Sequence, residues 1–265
     1  MRPRLIPVLS LDSRRRVVKT VGFDTRTYIG DPFNVLRLFN EKAVDEIVVL
    51  DIDATTDGRS PDPGFIAELA SECFMPLAYG GGLQDVATCE TLARLGVEKF
   101  VIGSAATQPG FIAAMSRCFG AQAVVSCVDA RGAGLMAQAV VRSGRQALQV
   151  SALDHAKWLQ DSGCGEIILQ SVDRDGARSG YDIELISTMS RSLSVPLIAL
   201  GGAGGQDHLF EALAAGASAS ASASAFVFYG SLRAVLITYP SAEDVNRMSE
   251  RLVQLQRQET QQEMA

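Results

Sequence analysis

"DEIVVLDID" (residues 45–53) and "GEIILQSVD" (residues 165–173) carry one pattern 120 positions apart. Each opens on an acid (Glu46, Glu166), runs through apolar residues for the length of a strand, and closes on a second acid (Asp53, Asp173). The correspondence continues downstream. "MPLAYGGG" (75–82) is matched by "VPLIALGG" (195–202), with Pro76 and Pro196 again 120 apart, and "QD" recurs at 84–85 and 206–207. An internal repeat of this length predicts two half-barrels related by a quasi-twofold axis.

The rest of the chain falls into the same rhythm. Strand-length apolar runs are "RLIPVLSL" (4–11), "EIVVLDID" (46–53), "MPLAYGG" (75–81), "KFVIGSA" (99–105), "AVVSCVD" (123–129), "EIILQSV" (166–172), "VPLIALGG" (195–202) and "ASASASAFVF" (219–228). Between them lie amphipathic helical segments at Pro32–Ala43, Gln84–Leu95, Pro109–Phe119, Ala152–Ser162, Ile183–Ser192 and Asp207–Ala215. Repeated βα units make a parallel sheet, and eight of them predict a closed (β/α)8 TIM barrel, with a doubly wound open sheet as the less economical alternative. The alternating "ASASAS" run is read as strand and turn, not as a linker. Residues 1–240 are expected to form this single barrel. Residues 241–265 are expected to form a helical tail whose glutamine-rich end frays.

Composition narrows the function. The chain has 265 residues, is 47% apolar and carries a net charge of −6, which argues against nucleic acid as the main partner. No apolar run reaches the roughly eighteen residues of a membrane span, and the first residues lack the pattern of a signal peptide. Five cysteines without a Cys-x-x-Cys pair read as reduced and cytoplasmic. Two histidines, His155 and His208, give no basis for a metal site or a Ser-His-Asp triad, so neither metal nor cofactor is expected.

In such barrels the chemistry sits at the C-terminal ends of the strands. There the first half offers "YGGG" (79–82) and "GSAA" (103–106), and the second half offers "LGGAG" (200–204) and "SASAF" (222–226). Gly- or Ser-rich turns leading into helices point backbone N–H groups at anions. Gly81, Gly82, Gly103 and Ser104 would grip one phosphate, and Gly201, Gly202 and Ser224 another, which implies an elongated ligand with a phosphate at each end. Carboxylates stand between these grips: Asp51 and Asp53, Asp129, and Asp173 with Asp175. Asp129 closes an apolar strand at this face and is the first candidate for acid–base work. At the opposite mouth Arg4, Glu46, Lys99 and Glu166 each open a strand, two positive and two negative. They are expected to close the floor as a ring of salt bridges, a plug through which a small neutral molecule such as ammonia could pass.

"IPVL…VVK", "DIDATTDGR", "GGGLQD", "SVDRDGARSGYD" and "PLIALGGAG", in this order over residues 4–230, resemble the cyclase subunits of imidazole glycerol phosphate synthase. The resemblance implies a barrel of the ribulose-phosphate-binding type, and adds Lys19 and Gly176 to the substrate-binding residues. It implies a bisphosphate substrate, N'-(phosphoribulosyl)formimino-AICAR-phosphate, converted with ammonia to imidazole glycerol phosphate and AICAR in histidine biosynthesis. It also implies a glutaminase partner docked at the N-terminal face, feeding ammonia through a gate that Arg4, Glu46, Lys99 and Glu166 match. That family uses two aspartates as acid and base. The second matches Asp129. At the first stands Ser10, whose hydroxyl is not a useful base at neutral pH. Asp12 lies two residues higher on the face that a count by twos gives to Ile6, Val8 and Ser10, so Asp12 or Ser10 is expected to serve as a compromised second catalytic group beside Asp129. "FVFYGSLRAVLITYPS" (226–241), "NEKAVDEIVVLDIDAT" (40–55) and "SECFMPLAYGGG" (71–82) look more like a divergent branch of the family. Those paralogues act with a glutaminase-like partner and a separate amidotransferase in making acetamidino-modified sugars of surface polysaccharide.

Overall fold

The computed structural model describes residues 3–230 and 232–263. Among them, eight parallel strands pair in chain order: β1 (Arg4–Leu11), β2 (Ile47–Asp51), β3 (Leu77–Gly80), β4 (Lys99–Ile102), β5 (Val124–Arg131), β6 (Glu166–Ser171), β7 (Leu197–Leu200) and β8 (Ala219–Ser222). Strand β8 returns to β1, with Arg4 opposite Ala219 and Pro7 opposite Ser222. The sheet is therefore a closed barrel, and the open-sheet alternative falls. Around it lie α1 (Pro32–Glu41), α2 (Pro63–Ser71), α3 (Val86–Arg94), α4 (Phe111–Phe119), α5 (Ala152–Asp161), α6 (Ile183–Ser192), α7 (Gln206–Ala214) and α8 (Ala242–Glu263). No helix among the described residues is long and apolar enough to cross a membrane.

Period-two alternation divides each strand between two cores. On β1, Ile6 and Val8 join Val48, Val101, Val125, Ile168 and Ile198 in the barrel interior. Leu5, Leu9 and Leu11 face outward and join the layer beneath the helices. Helix starts follow local chemistry. Asp31 and Asp62 cap α1 and α2, each just ahead of a proline, and Ser151 and Asp182 cap α5 and α6. These caps obey the repeat: Asp31 pairs with Ser151, and Asp62 with Asp182, both at a spacing of 120.

Three features go beyond the expected strands and helices. Strand β8 stops at Ser222, short of the expected Phe228, because the Ser222 hydroxyl accepts the N–H groups of Ser224 (3.1 Å) and Ala225 (2.9 Å) and bends the chain out of the ladder. Helix α8 continues through the glutamine-rich stretch to Glu263, while the last two residues of the expected tail lie outside the described residues. Its start is held down by buried Val245 and Met248, and Arg251 lies 3.9 Å over the Phe210 ring. The third bears on function. Two antiparallel hairpins, Val17–Val21 with Thr25–Gly30 and Gln138–Val141 with Gln146–Ser151, extend from the ends of β1 and β5. They too are twins, offset by 121, and both stand at the C-terminal mouth.

Candidate active site

The C-terminal mouth holds a cavity of 510 Å³. Ser10, Asp51, Gly81, Gly82, Gly103, Ser104, Asp129, Asp175, Gly176, Gly201, Gly202 and Ser224 line it, as do Thr20, Phe23, Arg26, Arg142 and Ser143 from the two hairpins. Asp12, Lys19 and Asp173 do not. The hairpin residues escaped the sequence reading, which had no hairpins to place them on. The second hairpin reaches across the mouth: the Arg142 N–H donates to Ser104 Oγ (2.8 Å), and Ser143 Oγ donates to the Ile52 carbonyl (3.2 Å).

The glycines are fixed by close chain crossings. A Cβ on Gly81 (φ +110°) would lie 2.3 Å from the Asp51 carbonyl oxygen, and one on Gly201 (φ +92°) 2.6 Å from that of Ser171. Positive φ and contacts this short exclude a side chain at either position. Asp51 and Ser171 are themselves 120 apart, so the repeat holds at the level of atoms.

The carboxylates divide by task. Asp51 is engaged by both Arg59 guanidinium nitrogens (3.1 Å each) and by the N–H groups of Asp53 and Ala54. Asp53 makes a bidentate pair with Arg26 (2.6 and 2.7 Å), which holds its carboxyl below the usual range. Asp173 accepts the Gly132 N–H at 2.7 Å. Asp12 does not follow the direction that the count by twos gives it. Its strand ends at Leu11, and its oxygens accept the N–H groups of Arg14 and Arg16 and a bidentate Arg16 guanidinium (2.7 and 2.9 Å). Burial raises the Asp12 carboxyl, and these bonds more than offset that. Asp12 is a turn-forming residue, with no oxygen left for the cavity.

Asp129 and Asp175 remain. Asp129 is half-buried on β5, and burial pushes its carboxyl up to about 7, with Asp175 adding to the rise. Its hydrogen-bond neighbour is Cys127 Sγ at 3.6 Å, whose thiol burial holds in the protonated form. Asp175 is also raised by burial, against the pull of the Thr20 hydroxyl (2.5 Å) and the Phe23 N–H (3.4 Å). Lys19 is 3% exposed, with Nζ donating to the Val8 carbonyl (2.9 Å). Burial lowers its ammonium to about 7. Ser10, 8% exposed, faces the cavity from β1.

At the other end, the four strand-opening charges form a closed ring. Arg4 binds Glu46 (3.3 Å) and Glu166, and Lys99 binds Glu46 (3.0 Å) and Glu166 (3.1 Å). Both glutamates are buried, and the two cations bridge them across the floor.

Comparison with known proteins agrees with this architecture. The family model described as "Histidine biosynthesis protein" matches residues 4–233. The chain is 43% identical to "Putative imidazole glycerol phosphate synthase subunit hisF2" of Pseudomonas aeruginosa, over 94% of this chain and 98% of that protein. It is 41% identical to a protein of similar name from Leptospira borgpetersenii, over 92% and 97% of the two chains. It is 39% identical to "Imidazole glycerol phosphate synthase subunit HisF" of Pyrobaculum aerophilum, over 85% and 90%. With a barrel built of two matching halves and a family match that spans nearly all of it, the chain belongs to the histidine biosynthesis protein family.

Proposed function

We propose that this protein is a cyclase-type subunit of an imidazole glycerol phosphate synthase. It would take ammonia from a glutaminase partner at the barrel floor and convert a phosphoribulosyl-formimino-AICAR-phosphate-like bisphosphate to imidazole glycerol phosphate and AICAR. The observation that carries this reading is the polarity of the barrel: a ring of four charges closes one end, and a cavity holding Asp129 between twin glycine turns opens at the other. The names of the relatives point the same way.

Each part has a physical role in this reading. The turns at Gly81–Gly82 with Ser104, and at Gly201–Gly202 with Ser224, take the two phosphates. Lys19, Asp173 and Gly176 belong to the substrate-binding set in this reading, with Asp173 also holding the Gly132 N–H. The ring of Arg4, Glu46, Lys99 and Glu166 turns back hydrated ions, and the apolar column of Ile6, Val48 and Ile168 above it favours neutral ammonia over ammonium. A protonated Asp129 is an acid poised near neutral pH.

A second reading rests on Ser10. With a hydroxyl where the resembled family has an aspartate, and Asp12 committed to Arg16, the barrel would chiefly conduct ammonia to a separate amidotransferase. Turnover of the formimino bisphosphate with ammonium salt and no partner separates the two. The cyclase reading expects turnover, reduced roughly a hundredfold or more in Asp129→Asn. No turnover by the unmodified chain would leave the conducting role.

A further inference from the structure

Condensation of ammonia with a ketone, the step that the phosphoribulosyl group requires, needs two proton carriers. One must take a proton from the adding nitrogen while another gives a proton to the carbonyl oxygen. Asp129 is one such group, and Ser10 is not the other. The described carboxylates that line the cavity are Asp51, Asp129 and Asp175. Asp51 is saturated by Arg59 and two backbone N–H groups. Asp175 is not, and it stands on the loop after β6, the strand that pairs with β5 and sets Gln170 opposite Asp129.

We infer that Asp175 is the second catalytic carboxylate of this chain, filling the role that Ser10 leaves vacant. The inference rests on the cyclase reading above. Several bonds fix Asp175 in place: its carboxylate accepts from Thr20 Oγ1, the Phe23 N–H and the Gln170 side chain, its carbonyl accepts the Gly22 N–H (3.0 Å), and its own N–H donates to the Val172 carbonyl (3.1 Å). The first hairpin thus braces the residue. A Cβ on neighbouring Gly176 would lie 2.0 Å from the Thr20 carbonyl, so hairpin and loop are in close contact there.

The different donor sets assign the roles. Thr20 Oγ1, the Phe23 N–H and the charge of Lys19 favour an ionised Asp175. Asp129 is raised by burial and by the charge of Asp175, with the Cys127 thiol as its hydrogen-bond neighbour at 3.6 Å, and holds its proton more firmly. The pair therefore starts with the proton on Asp129 and the negative charge on Asp175, as two carboxyls in unlike surroundings do. As ammonia's lone pair forms the C–N bond, the carbonyl π pair moves to oxygen. Asp129 protonates that oxygen, and Asp175 takes a proton from nitrogen. In the second half Asp175 returns its proton to the departing hydroxyl, which leaves as water, and Asp129 takes one from nitrogen as the C=N bond forms. Ammonia enters, water leaves, no redox change occurs, and both carboxyls recover their starting states. Cys127 from β5 acts on Asp129 and Lys19 from the first hairpin acts on Asp175, and Arg26, Asp51 and Arg142 are further charged groups of the cavity lining.

The test is a double-variant cycle in ammonium-driven turnover. Asp175→Asn keeps an oxygen for Thr20 and Phe23 but cannot carry the proton, so kcat should fall roughly a hundredfold. Ser10→Asp added to that variant should restore about tenfold, because it returns a carboxylate to the cavity from β1. A purely structural Asp175 would not be relieved by Ser10→Asp, so a loss without rescue overturns the inference, as does parental turnover in Asp175→Asn. A parent chain with no ammonium-driven turnover would overturn the cyclase reading itself, and the inference with it.

Discussion

Asp53 and Asp173, 120 residues apart, perform the same task in the two halves of the barrel. Each accepts a backbone N–H from the loop that follows the preceding strand: Ser13 donates to Asp53 at 2.9 Å, and Gly132 donates to Asp173 at 2.7 Å. Each carboxylate therefore ties down the base of a hairpin at the cavity mouth. Asp53 also holds the guanidinium of Arg26, which lines the cavity.

This tie has a pH signature. The Arg26 guanidinium depresses the Asp53 carboxyl in the folded state. A depressed value contributes stability that is fully present above the unfolded value of about 4 and is lost as pH falls through the folded one. Asp53→Asn should therefore lower Tm at neutral pH, and the gap to the parent should close in acid. Thermal unfolding across a pH series measures it. A gap that does not change with pH would show that the shape of Asp53 matters and its charge does not.

The glycine crossings make a sharper stability prediction. Gly81→Ala puts a Cβ 2.3 Å from the Asp51 carbonyl oxygen at a φ of +110°. It should cost well over about 1 kcal/mol, with Tm falling by more than about 3 °C in a domain of this size. Gly64→Ala, inside α2 with its nearest contact an ordinary 3.4 Å, should be neutral or mildly stabilising. Equal effects at both sites would remove the steric account of the turn.

Crystals soaked in inorganic phosphate should bind the anion twice, once near Gly81–Gly82 with Ser104 and once near Gly202 with Ser224. At the second place the anion should displace the Ser222 hydroxyl from the Ser224 and Ala225 N–H groups it now occupies. Anions found only elsewhere would leave the turns as simple chain crossings.

Much of this was legible because the repeat is carried by residues whose backbone or charge is constrained. Glu46 with Glu166, Pro76 with Pro196, Gly81 with Gly201 and Ser104 with Ser224 keep one spacing, and a closed barrel follows from them. What stayed hidden was set by local bonds. The outer strand of the first hairpin, Thr25–Gly30, is largely exposed and shows no apolar alternation, so nothing marked it as a strand that carries Arg26 to the cavity. Parity placed Asp12 beside Ser10, but a turn closed by Arg16 outweighs parity once the ladder ends at Leu11. The family pattern grouped Lys19 with the phosphate ligands. In the structure its Nζ donates to the Val8 carbonyl, a contact that no strand pattern announces.

The central claim is that ammonia crosses the charged floor and reacts at the opposite mouth. Arg4→Ala tests it most directly, because Arg4 bridges Glu46 and Glu166 at the end of the barrel remote from Asp129. Turnover of the formimino bisphosphate is measured twice on the same preparation, with ammonium salt alone and with glutamine and the glutaminase partner. The account predicts that ammonium-driven turnover stays close to the parent's while the glutamine-driven rate falls, as ammonia leaks at or is trapped beneath an incomplete ring. An equal loss in both assays would contradict it, making Arg4 a structural residue of the barrel floor.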